Sequence, residues 1–124
     1  MSDERQGVGR LTNITIDARD PQKLAEFWGS LLGVGIHHTW GPYVFLERLP
    51  SGLEIEFQRV AEPKNAKNRV HLDIRTDDLD QATDRAVALG ARLLEEVDEE
   101  GHGWNVMADP EGNEFCLLRP RPTS

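Results

Sequence analysis

The chain has 124 residues, a formal net charge of −8 and a single cysteine. That length suits one compact domain, or two small modules sharing a core. The acid excess weighs against nucleic acid and anionic membranes, which need a basic face, but leaves room for a small anion held by a local Arg or Lys. Cys116 alone excludes an intrachain disulfide and fits a reducing compartment.

Residues 1–9 are polar and lack the apolar core of a signal peptide. No apolar run approaches a bilayer-spanning length, so the chain reads as soluble and cytoplasmic. The first strand is expected over residues 11–17, with Thr12, Ile14 and Ile16 on one face and Asn13 and Thr15 on the other. Asp20 and Pro21 then give a helix start, cap followed by first position. Leu24, Phe27, Leu31 and Leu32 follow at helical spacing, and Gly33 is a natural stop. Trp28 is expected at the edge of the buried stripe. Strands follow over 34–39 and 43–47, separated by a turn at Trp40-Gly41-Pro42. A turn over 49–52 leads to 53–58, where Leu53, Ile55 and Phe57 face the core and Glu54, Glu56 and Gln58 face away.

Residues 61–68 are polar, contain Pro63 and have the composition of a linker. Then the pattern returns. Residues 70–75 alternate as a strand, with His71 and Asp73 on the polar side. Thr76, Asp77 and Asp78 offer helix caps. Leu79, Ala82, Ala86 and Leu89 share one helical face, and Gly90 ends it. Residues 91–96 read as a strand, 97–103 as a mobile loop, 104–108 as a strand, 109–112 as a turn and 113–119 as the last strand.

The chain therefore holds an internal duplication. Asn13 aligns with His71, Asp20 with Asp78, Gly33 with Gly90, and the turn 49–52 with 109–112. Glu54 then falls on Glu114 and Glu56 on Cys116. The expected fold is α+β, two βαβββ modules over residues 9–60 and 69–119 joined by 61–68. Each sheet has one face covered by its helix and one open. Two such open faces make a half-barrel cleft, its polar wall formed by Asn13, Thr15, Glu54, Glu56, Gln58, His71, Asp73, Glu114, Cys116 and Leu118. A one-residue slip in any strand would invert its contribution.

With Leu11 to Asp17, Asp20-Pro21, Phe27-Trp28, Leu32-Gly33, Val70-His71-Leu72-Asp73, Leu89-Gly90-Ala91 and Asp109-Pro110-Glu111-Gly112-Asn113-Glu114-Phe115 in place, the sequence resembles the vicinal oxygen chelate superfamily. This is the glyoxalase, bleomycin-resistance and extradiol-dioxygenase group. Through Phe57-Gln58-Arg59-Val60 to Asn68-Arg69-Val70-His71 it is most similar to small glyoxalase-like proteins common in actinobacteria. The resemblance runs from about Gly9 to Arg119, and its most specific piece, the run from Asp109 to Phe115, marks the fold and not the reaction.

The resemblance implies metal ligands at Asn13, Glu56, His71 and Cys116, a divalent ion (Zn, Ni, Mn or Fe) and a homodimer. Glu56 and His71 are good ligands for such an ion. Asn13 stands where a His would be stronger and Cys116 where a carboxylate is usual. As a thiolate Cys116 would favour zinc; as a buried small hydrophobe it would bind nothing. His71 could serve as a general base near neutral pH, or rest hydrogen-bonded in a polar groove. Asp73 could orient its imidazole or pair with Arg69 or Arg75.

His37 and His38 look like a metal motif, but adjacent strand residues point to opposite faces, which keeps both from one ion. Trp40, Tyr43 and Trp104 lie near loops or strand ends, where they would line a cleft, pack in the core or meet a dimer partner. Gly101-His102-Gly103 is a lid or a plain turn, and the acidic run 95–100 a solvated face. Two functions follow. One is a metal-dependent lyase, isomerase or dioxygenase using Glu56 and His71. The other is a protein that sequesters a small organic molecule, of the antibiotic-resistance kind, without a metal or other cofactor. The fold does not choose between them.

Overall fold

Asp20 opens the first helix by accepting a hydrogen bond from the Lys23 amide at 3.1 Å, with Pro21 in the first turn. Gly33 closes it in the left-handed region, at φ 75°. Asp78 caps the second helix in the same way, through Gln81 N at 3.0 Å. In this computed structural model, which describes residues 11–62, 71–99 and 102–120, the elements run β1 (Asn13–Ala18), α1 (Pro21–Leu32), β2 (Ile36–Trp40), β3 (Tyr43–Leu46), β4 (Glu54–Arg59), β5 (Leu72–Arg75), α2 (Leu79–Leu89), β6 (Arg92–Glu99), β7 (His102–Ala108) and β8 (Glu114–Leu118). The linker expected over 61–68 lies mostly outside the described residues.

The two halves repeat one topology. The first sheet is ordered β1-β4-β3-β2 and the second β5-β8-β7-β6. In each, the first strand pairs in parallel with the last, Asn13 opposite Glu54 in one and Asp73 opposite Cys116 in the other. This is the expected pair of βαβββ modules, with each helix packed on one face of its sheet. Among the described residues no helix is long and apolar enough to cross a membrane.

Strand alternation decides what is buried. Ile55, Phe57, Val44 and Leu46 sit under α1, while Phe115, Leu117 and Met107 join α2's Ala86 in the same continuous core. The alternate positions of those strands form the open face. Trp28 departs from expectation. It is not at the edge of the stripe but 2% exposed, its ring centroid 4.8 Å from that of Phe115 in the second module. Helical spacing from Pro21, Leu24 and Ala25 puts Trp28 on the buried face of α1, and its burial is completed by Phe115 from the other half of the chain.

The region 97–103 also differs from the expected loop. Strand β6 continues to Glu99 and β7 begins at His102, with Val97 opposite Trp104 and Asp98 opposite Gly103. Acidic composition suggested a loop, but cross-strand pairing overrides it, because exposed Glu95, Glu96 and Asp98 project from a strand at the sheet edge into water. His102 and Gly103 therefore belong to a strand and not to a lid; Gly101 lies outside the described residues.

Candidate functional site

The parity of β1 and β4 puts Asn13, Thr15, Glu54, Glu56 and Gln58 on the open face of the first sheet, opposite the residues that α1 covers. The open face of the second sheet carries Asp73, Glu114, Cys116, Leu118 and Trp104, with Trp104 opposite Leu118 and Asp73 opposite Cys116. His71 precedes β5, and its Nε2 lies 3.8 Å from Glu114 Oε1. Cys116 is buried.

The four positions implied as ligands fall into two pairs on two sheets. On the first, Asn13 Nδ2 donates to Glu56 Oε1 at 2.9 Å. The Asn13 amide oxygen accepts from the Thr12 hydroxyl at 2.6 Å. A carboxylate only accepts, so the amide nitrogen must face Glu56 and the amide oxygen must turn to Thr12. On the second sheet stand His71 and Cys116. Among the described residues no group of three or more His, Cys, Asp or Glu converges to hold an ion.

One end of the first sheet opens into a cavity of about 540 Å³ bounded by Thr12, Arg48, Ser51, Leu53 and Glu54. Arg48 Nη2 bridges to Glu54 Oε2 at 3.1 Å there, with the Arg48 side chain 69% exposed. Arg48 was not expected at the site, since it follows β3 in a turn segment whose direction alternation does not fix.

His37 and His38 do not point to opposite faces of β2, contrary to the expectation from alternation. A register shift between Ile36 and His38 breaks the alternation, and the two imidazole centroids sit 4.7 Å apart. A bulge places two consecutive residues against one partner residue, so neighbours need not point apart. His38 stacks on Phe45 at 4.6 Å. Trp40 ends β2, Tyr43 begins β3, and their rings stack at 6.0 Å. Phe45 was missed as a wall residue, although Tyr43, Val44 and Phe45 alternate and would place Phe45 beside Tyr43.

The two modules are clamped together behind the open faces. Glu111, in the turn before β8, accepts from Arg19 N at 2.8 Å and Asp20 N at 2.9 Å. Asp109 accepts from the Trp28 indole at 3.0 Å. The run from Asp109 to Phe115 thus serves the fold, holding the start of α1 against the second module. Asp20 and Asp109 act as the expected cap and turn residues.

The glyoxalase-like domain family model matches residues 13–118. No curated protein matches the chain. Among solved structures, a glyoxalase/bleomycin resistance protein/dioxygenase family enzyme from Burkholderia phytofirmans PsJN is similar at 18% identity, over 91% of this chain and 100% of that one, with a TM-score of 0.73. The fosfomycin resistance protein FosX from Mesorhizobium loti is similar at 15% identity, over 94% and 95%, with a TM-score of 0.72. Oxidase ChaP-H2 is similar at 19% identity, over 95% and 98%, with a TM-score of 0.70. At such identities these likenesses speak for the fold alone. With paired βαβββ modules, and a family match running from the first strand to the last, the chain belongs to the glyoxalase-like domain family of the vicinal oxygen chelate superfamily.

Proposed function

We propose that this protein binds a small organic molecule against the open face of its sheets and sequesters it, without a firmly held metal ion. The observation that carries this reading is the aromatic lining of the first sheet, where Trp40, Tyr43, Phe45 and His38 stand in contact beside Glu56. Apolar rings with a few convergent polar groups are what a small-molecule site requires.

The donor set supports the metal-free half of the proposal. Asn13 presents N–H to Glu56, so its amide oxygen is turned from the place where a ligand lone pair would be needed. Of the two strong donors, Glu56 accepts from Asn13 and His71 Nε2 lies 3.8 Å from Glu114 Oε1. A metal that polarises vicinal oxygens needs several ligands holding it firmly. A second reading, a metal-dependent lyase, isomerase or dioxygenase, draws support from His71 beside Glu114, since a carboxylate commonly orients a ligating imidazole. The fold does not choose between the readings, since proteins named an oxidase and a fosfomycin resistance protein both have it.

Elemental analysis of the purified protein tests the choice, paired with thermal shift in zinc, nickel, manganese and iron for wild type and His71→Ala. The expected result is metal far below one ion per subunit and no metal-dependent shift. About one ion per subunit, lost in the variant, would overturn sequestration and establish the metal enzyme. A homodimer is part of the proposal, and sedimentation equilibrium tests it.

A further inference from the structure

The open face of the first sheet carries five rings in one row. Trp40 stacks on Tyr43 at 6.0 Å and 14°. Tyr43 leads to Phe45 at 6.0 Å and 34°. Phe45 stacks on His38 at 4.6 Å and 10°, and His37 meets His38 edge-on at 4.7 Å and 83°. Register explains the row: Trp40 lies opposite Tyr43 and His38 opposite Phe45. The residues between them, Val44 and Leu46, are buried against the core, so the row lies on the face that α1 leaves open. Trp40, at 69% exposure, offers a bare indole at one end of it.

The rest of that face is polar and carries three carboxylates, Asp17, Glu54 and Glu56, among the neutral Asn13, Thr15 and Gln58. Phe45 lies opposite Glu56 and Tyr43 opposite Gln58, and β1 and β4 add Asp17 and Glu54 with the same parity. The one Lys or Arg in these four strands, Arg59, has the opposite parity and donates to Arg19 O at 3.2 Å. Arg48 is off to the end of the sheet, paired with Glu54. Aromatic faces attract cations through their quadrupole. Carboxylates beside them add a Coulomb preference that low-dielectric surroundings strengthen. An anion would meet repulsion from Asp17, Glu54 and Glu56, and among the described Lys and Arg residues of this sheet and its end Arg48, already paired, is the one placed to offset it.

We propose that this face selects planar organic cations: a flat ring system seated along the Trp40–Tyr43–Phe45 row, its positive nitrogen on Glu56. Oε1 of Glu56 accepts from Asn13, which leaves Oε2 as the acceptor for the ligand's cation. The inference rests on the small-molecule reading above and adds the ligand's chemical class.

Three probes of one shape and different charge test it on the full chain: 9-aminoacridine as the cation, acridine as the neutral ring and anthracene-9-carboxylate as the anion. Calorimetry and tryptophan quenching are the readouts. The expected result is that the cation binds at least about tenfold more tightly than either of the others. Trp40→Ala weakens all ring binding, and Glu56→Gln removes the cation's advantage while retaining acridine. Circular dichroism confirms that both surface variants fold.

Equal binding of all three probes would overturn the charge selection and leave the small-molecule reading intact. Binding of none, while a broad neutral and anionic screen finds a ligand, would do the same. Failure of both the probes and the screen would overturn the two readings together. A dimer that Trp40→Ala dissociates, with Trp40 unquenched by any probe, would mean that a second copy covers the row, and would overturn the inference.

Discussion

The indole Nε1 of Trp28 donates to Oδ2 of Asp109 at 3.0 Å, joining residues 81 positions apart. Asp109 is 2% exposed and also accepts from Glu111 N, Asn113 N and Asn113 Nδ2, each at 2.9 Å. One carboxylate thus orders its own turn and fastens α1 to the second module. Trp28→Phe keeps most of the apolar volume and deletes one donor to a buried charge. We expect a loss of roughly 1–3 kcal/mol, read as a lower urea midpoint at unchanged slope. Asp109→Ala strands several buried donors and should cost more, about 3 kcal/mol or above.

Gly29→Ala should destabilise, against the helical preference for alanine. The preference is worth about 1 kcal/mol. A Cβ at Gly29 would stand 2.7 Å from the Val34 carbonyl oxygen, a backbone atom that cannot swing aside. Overpacking of this kind costs roughly 1–3 kcal/mol, so the clash wins. Gly33→Ala meets no atom within 4 Å but must hold φ at +75°, and should cost about 1–2 kcal/mol through the backbone alone. Thermal melts of the two variants separate the causes, since Gly33→Asn should recover part of its loss and Gly29→Ser should not.

Thr83 Oγ1 donates to Leu79 O at 2.7 Å and accepts from Asn105 Nδ2 at 2.9 Å, tying α2 to β7 in a buried position. Thr83→Val should leave the Asn105 donor without that acceptor and cost roughly 1–3 kcal/mol. The double variant with Asn105→Leu should be less destabilised than the sum of the singles. A denaturation cycle that returns simple additivity would reject the coupling.

Asn13→His should raise metal affinity above that of the wild type. It replaces the amide that donates to Glu56 with an imidazole beside that carboxylate, the arrangement a first-row ion prefers. Zinc or nickel titration should show binding at least about tenfold tighter than wild type. A wild type that already binds as tightly would defeat both this expectation and the metal-free reading.

The modules, the caps at Asp20 and Asp78 and the stop at Gly33 were legible in the sequence because each rests on local chemistry or on a short period. The open-wall residues were legible for the same reason, since Glu54 and Glu56 are two apart on one strand. Trp28 lies at helical spacing from Leu24 and Ala25, so its burial was open to the same reading; its partners, Phe115 and Asp109, were not, because they are remote in sequence. His37 and His38 were misread because a bulge breaks the period from which their directions were taken. The antiparallel pairing of β6 with β7 was hidden by acidic residues, whose preference for water is met equally well on a strand edge. Arg48 and the aromatic row needed cross-strand register, which composition does not contain.

The pairing of β1 with β4 has a further consequence, for the order in which the protein comes together. Asn13 meets Glu54 only after the helix and two strands between them have been laid down. Hairpins such as β2 with β3 close over a few residues and can form early, whereas the parallel contact must wait for a long loop to close. The second half repeats the delay, with Leu72 waiting for Phe115. The first strand of each half is therefore made early and seated late. During that interval its apolar side, Ile14 and Ile16 in one half and Leu72 and Ile74 in the other, is open to the wrong neighbour, including the corresponding strand of the other half.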